Sequence, residues 1–267
     1  MNFSLIVKAE MLKQFKNRTF LWIQPIVLVL ILLPMLFLNW ALEGEVYLSP
    51  EFYWDTFMVM SSVIAKIALP FILIVMITSE FSYHTIRQEI ADGHQYKHII
   101  GGKGVFWAAL VTFWTLLSTV LVYLIGLLFI EDQSALSDSV TLLELAGKFW
   151  LEVFFTGVLA AFFALLFKKS GVSFIAFLAY LFLVENIIVL IFNNTLDIPE
   201  KYTAFFPTEA LSAYMKFAFV QELQKQATDL PVTVAKTPLY IKVIGSIIYT
   251  FLINAWLYWK IDKTDIR

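Results

Sequence analysis

Cysteine is absent from this 267-residue chain. Disulfides, thiolate nucleophiles and cysteine-held metals are thereby excluded. Charge is also scarce: Asp, Glu, Lys and Arg make up 15% of the residues, against about a quarter in a soluble domain. Histidine occurs three times, as His84, His94 and His98, all within one short stretch. No GxxxxGK[ST] phosphate loop is present. Gly101-Gly102-Lys103-Gly104 lacks both the spacing and the following hydroxyl residue, so the chain is not expected to bind or hydrolyse ATP. The formal net charge is -2, and no basic block is long enough to point to nucleic acid.

What is abundant is apolar surface. Hydrophobic residues make up 60% of the chain, with 26 Phe and 8 Trp, and the mean hydropathy is +0.78. A bilayer core needs roughly 20 apolar residues per helix. Six runs meet or approach that length: 20–40, 57–79, 105–130, 149–167, 172–192 and 239–259. The first is too long for a signal-peptide core, and no small-residue cleavage site follows it. These runs predict an all-α integral membrane protein of six spans forming a single transmembrane domain over residues 1–267.

Basic residues near span ends set the orientation. With the N-terminus inside, Lys8, Lys13, Lys16, Arg18, Arg87, Lys97, Lys103, Lys168, Lys169, Lys260, Lys263 and Arg267 all face the cytoplasm. The opposite side holds Lys148, Lys201, Lys216, Lys225, Lys236 and Lys242. The first outer loop has no basic residue and carries Glu43, Glu45, Glu51 and Asp55. The expectation is a multi-pass protein of the cell (cytoplasmic) membrane with both termini in the cytoplasm.

Residues 1–18 read as an amphipathic helix in the membrane interface. Phe3, Val7, Met11 and Phe15 form its apolar stripe, and Lys8, Lys13 and Lys16 fall off it. A continuous extension of the first span is the alternative. Between the fifth and sixth runs, Thr208-Glu209 could open a short outer helix carrying Leu211, Tyr214 and Phe217. Lys168-Lys169-Ser170-Gly171 reads as a tight turn, and Gly101, Gly102 and Gly104 as a sharp bend into the third span. Pro25, Pro34 and Pro70 could bend their helices. Trp22, Trp40, Trp54, Trp107, Trp150, Trp256 and Trp259 are expected as interfacial anchors.

Between the second and third runs lies a polar insert, Glu80 to Lys103. Thr85 and Gln88 stand in capping-box spacing, Ile86 and Ile90 share a helical face beside Arg87, and Gly93 can stop the helix. A two-turn helix of this kind suits docking in a groove on a soluble partner. A solvated linking loop is the plainer reading. His94 and His98 have i, i+4 spacing with Asp92 nearby, but Gly93 interrupts the helix, so no metal site is assigned.

The order of these features resembles the permease subunit of ABC-2-type ABC transporters. The motifs that carry the resemblance are Glu80, Thr85-Ile86-Arg87 and Gly102-Lys103. The chain departs from the pattern at His84, where Gly often precedes the Thr, and at Asp92-Gly93, where Pro is common. The resemblance implies a cytoplasmic coupling helix between spans 2 and 3, in which Thr85, Ile86, Arg87 and Ile90 contact a separate ATPase subunit. It further implies short helices in the outer loop before span 6 and a second permease, identical or related, in the membrane lipid. The implied activity is ATP-driven transport without catalysis or cofactor in this chain, most often export. The apolar composition suggests a lipid, peptide or amphipathic drug-like substrate. A non-transporting sensor or scaffold subunit and a membrane-embedded enzyme are the rival functions.

Two charges lie within predicted spans, Lys66 in the second and Glu185 in the fifth. Each costs roughly 2.5–3.5 kcal/mol in lipid and so is expected to face protein or a water-filled cavity. They are expected to pair with each other or to contact a polar substrate. Lys148 and Glu152 are expected to form an i, i+4 couple near the outer end of the fourth span.

Overall fold

The computed structural model describes residues 3–42, 50–82, 96–129 and 139–184, with positions 187–188, 191–192, 244–245, 247–253 and 255. The contiguous stretches are helical, and no strand occurs among the described residues. The helices are α1 (Phe3–Lys16), α2 (Arg18–Leu42), α3 (Pro50–Ser82), α4 (Tyr96–Phe129), α5 (Ser139–Phe167) and α6 (Ser170–Ala179). A π-helical turn, Tyr180–Val184, continues α6.

Three helices are long and apolar enough to cross a membrane, through Thr56–Ser82, Gly101–Leu128 and Leu142–Phe167. The chain is therefore an all-helical membrane-embedded protein. Helices α1 and α2 make a fourth candidate only if taken together across their 76° bend. The six expected spans are thus reduced among the described residues. The fifth is represented by the 15 residues Ser170–Val184, changing from α to π at Tyr180. Most of the sixth, the outer helix expected at Thr208 and the coupling residues Thr85, Ile86, Arg87 and Ile90 lie outside the described residues.

Helix α3 is the hub. It packs most extensively on α5 and also against α2, α4 and α6. Its buried face, which takes in most of the helix circumference as packing on four neighbours requires, runs through Phe57, Met58, Ala65, Leu69, Ile74 and Ile77. Hydroxyls on this face bond back to their own helix, because lipid offers them nothing else. Ser61 donates to the Phe57 carbonyl at 2.7 Å, and Thr78 to that of Ile74 at 2.8 Å.

Two helices begin earlier than the apolar runs suggested. Helix α4 starts at Tyr96 and carries Gly101, Gly102 and Gly104 in its interior, so the expected sharp bend there is absent. Breaking the helix would leave backbone groups unsatisfied, which costs more beside lipid than the ~1 kcal/mol of each glycine's propensity deficit. Helix α5 starts ten residues before the expected Phe149, at Ser139. Helices α1 and α2 meet at a 76° bend around Asn17, with no proline at the break. The turn after α5 is as tight as expected. Lys168 takes a positive φ of 57°, Lys169 is extended, and α6 begins at Ser170.

The tryptophans divide. Trp22 is exposed as expected of an anchor, whereas Trp54 and Trp107 are buried in the bundle. Hydrogen bonds across helix pairs hold Trp107 inside, whereas Trp54 Nε1 has no hydrogen-bond partner among the described residues and Trp54 is buried by packing alone. Trp107 Nε1 donates to the Phe154 carbonyl at 3.1 Å, and Trp150 Nε1 donates to Thr112 Oγ1 at 2.9 Å. Trp114, at the α2–α4 contact, donates to Gln24 Oε1 at 2.8 Å.

The Trp107 indole fits only because position 157 has no side chain. A Cβ there would overlap the ring, which is pinned by its hydrogen bond and cannot swing aside. Gly157→Ala is therefore expected to destabilise the protein by about 1–3 kcal/mol. Thermal unfolding in detergent reads the loss, and adding Trp107→Leu should recover part of it.

Candidate functional site

Two ionic clusters are built into the interior. The first closes one end of the bundle. Lys103 on α4 is 3% exposed and reaches Glu80 Oε1 on α3 at 2.7 Å and Glu10 Oε1 on α1 at 3.0 Å. Lys13 on α1 donates to the same Glu80 oxygen, and Gln14 Nε2 donates to Glu10 at 3.1 Å. Two carboxylates and two ammonium groups thus balance in a site made by three helices.

The site decides how α1 lies. Glu10 and Gln14 face the protein and are buried, Val7 and Met11 are half-buried, and Phe15 points outward at 59% exposure. The expected stripe of Val7, Met11 and Phe15 is therefore divided, and the helix turns a polar face to the bundle. Moving an ion into an apolar interior costs several kcal/mol unless opposite charges and hydrogen bonds replace water. Lys103 and Glu80, both buried, can be satisfied only by polar groups, and α1 supplies them.

The second cluster lies within the spans. Lys66 Nζ on α3 donates to Glu152 Oε1 on α5 at 2.8 Å. The expected Lys148–Glu152 couple is therefore not formed. Lys66 pairs with Glu152, and Lys148 pairs instead with Glu144, one turn earlier, at 2.6 Å. Glu185 lies outside the described residues. The physical reason is register. Lys66 and Glu152 each stand ten residues inside their spans, counted from Thr56 and Leu142, or about 15 Å of helix rise. The opposite ends of the same two helices agree, since the Lys168 ammonium sits over the Phe81 ring at 5.3 Å. Glu152 is 1% exposed and Lys66 19%. Glu152 Oε2 accepts no hydrogen bond among the described residues, and the neighbouring Ser62 hydroxyl donates to the Val59 carbonyl at 2.9 Å. Pro70, four residues after Lys66, has no N–H for the Lys66 carbonyl, so α3 is locally weakened at this level.

Among the described residues no group of three acidic or histidine side chains is placed to hold a metal. His84, His94 and Asp92 lie outside them. Glu10 is the participant that inspection of the sequence passed over. Its signal is composition: it is the one acid before Glu43. No protein-family model matches the chain, and no curated protein matches it.

Two measurements check these sites. Lys66→Met strands a buried carboxylate and is expected to cost about 3–5 kcal/mol. Lys66→Met with Glu152→Leu should regain most of that, whereas additive losses would refute the coupling. For Glu10, burial raises the carboxyl's pKa, but Lys103 and Lys13, with hydrogen bonds from Lys103 and Gln14, outweigh it and hold the pKa below its usual 4.5. The stabilisation is complete above that usual value and is lost as pH falls through the lowered one. Acid titration of the melting temperature should show a fall below about pH 4 that Glu10→Gln flattens.

Proposed function

We propose that this chain is the permease subunit of an ATP-driven transporter of the ABC-2 type, powered by a separate cytoplasmic ATPase. Support comes from the Glu80–Lys103 contact of 2.7 Å. These two residues bound the polar insert, and their ion pair holds its two ends together while Glu10 and Lys13 tie both to α1. Force applied to the insert reaches α3, α4 and α1 together. The insert carries Thr85, Ile86, Arg87 and Ile90, the residues that would meet the ATPase.

In this reading the chain has six spans, with its termini and insert on the cytoplasmic side of the cell membrane. It works with a second permease, the same or related, and exports a lipid, peptide or amphipathic compound. The pair Lys66–Glu152 serves as a strut that makes α3 and α5 move as one body.

The test is co-purification in mild detergent. A phosphate-loop ATPase should be retained by the native chain and lost with Arg87→Glu and Ile90→Glu. Labelling of a thiol introduced at position 90 from outside intact cells would overturn the proposal.

A further inference from the structure

The Lys66–Glu152 pair leaves hydrogen-bonding capacity unused on both of its members. Glu152 is 1% exposed, yet its Oε2 accepts no hydrogen bond among the described residues. The neighbouring hydroxyls are already committed. Ser62 gives its proton to the Val59 carbonyl, and Thr156 gives its own to the Glu152 backbone carbonyl at 2.6 Å. Lys66 Nζ carries three protons. One goes to Glu152 Oε1, and the other two meet no acceptor among the described residues. The Lys66 carbonyl, which Pro70 deprives of its helical donor, belongs to the same level of α3. This level is ten residues inside both spans, about 15 Å of rise, and so close to the centre of a hydrocarbon core of ~30 Å. Bulk water is remote there, and each unmet bond is costly.

We propose that the α3–α5 pair is a binding site for the uncharged polar head of an amphiphile, an amide or a hydroxyl. The head accepts a hydrogen bond from the free Lys66 protons and donates one to Glu152 Oε2. The chemistry follows from charge and from what is left over. Lys66 and Glu152 cancel, so a charged head would add an uncompensated ion to a low-dielectric site. A plain hydrocarbon would leave both the donor and the acceptor unmet. Only a neutral group that donates and accepts at once meets both. The depth requires an apolar tail, and half-buried Val63 and Ile67 flank Lys66 on α3 to receive one. Lys66 is the open member of the pair, at 19% exposure. The ligand therefore enters past its ammonium, and the carboxylate turns about its last torsion, which is broad in Glu, to meet the incoming proton. The site gives the proposed transporter a substrate class and to that extent rests on the transport reading. The binding itself requires only the membrane assignment.

The test uses the full chain in nanodiscs without an ATPase, so that this proposal and the co-purification result can fail separately. The probe is dodecanamide with a photoreactive diazirine at the end of its tail. It should label α3 or α5 saturably, with unlabelled dodecanamide competing at least tenfold better than dodecanoate or dodecyltrimethylammonium. Lys66→Met with Glu152→Leu should lower the saturable labelling by about tenfold or more, as expected for two lost bonds to charged groups. The melting temperature reports that this double variant still folds. Equal labelling of the native chain and the double variant overturns the proposal. So does better competition by either charged amphiphile, or labelling that never saturates, which would leave Oε2 to a structural water only.

Discussion

One ammonium group, that of Lys103, organises an end of this protein. It is almost wholly removed from solvent and is shared by carboxylates from two other helices. Because neither Lys103 nor Glu80 can be left bare in an apolar interior, α1 must lie where Glu10 and Lys13 can reach them. The 76° bend at Asn17 follows from that demand, since α2 must leave along the bundle while α1 stays across its end. Hydrophobic burial alone would have turned Phe15 inward. The cost of an unpaired buried charge is larger, and the ring remains outside.

The rest of the interior obeys the same rule at lower stakes. Hydroxyls such as Ser61 and Thr78 fold back on their own helix, and the indole N–H groups of Trp107, Trp114 and Trp150 reach carbonyl, amide and hydroxyl oxygens across helix pairs. These directed bonds fix which helices touch, something apolar side chains surrounded by lipid cannot do by themselves. The Trp107–Gly157 contact shows the geometric side of it: a bond to a backbone carbonyl needs close approach, and close approach needs a glycine.

Much of this was legible in the composition and periodicity. The helical class, the cores of the second, third and fourth runs, the separate helix before the first run and the turn at Lys168 follow from length, hydropathy and Gly or Lys placement. The partner of Lys66 did not follow. The hydropathy run of the fourth span opens at Phe149 because Glu144 and Lys148 interrupt the apolar sequence before it. Helix α5 instead begins at Ser139, since Lys148 and Glu144 neutralise each other and let the helix extend. That moved Glu152 from the edge to the interior. Glu10 escaped notice for a related reason: a lone acid on a basic helix looks solvated until its interior partner is known. Trp54 and Trp107 sit near the ends of the apolar runs, as lipid anchors do, and only tertiary contacts reveal that they are enclosed.

Because Lys66 and Glu152 stand at matching positions along parallel helices, the dipole they form lies nearly flat in the plane of the bilayer. A membrane potential does work only on charge displaced along the normal. Lys66 and Glu152 therefore add fixed charges deep in the spans without adding a voltage sensor. If α3 and α5 slid past each other, the pair would stay neutral but its dipole would gain a component along the normal, and the electric field would act on it.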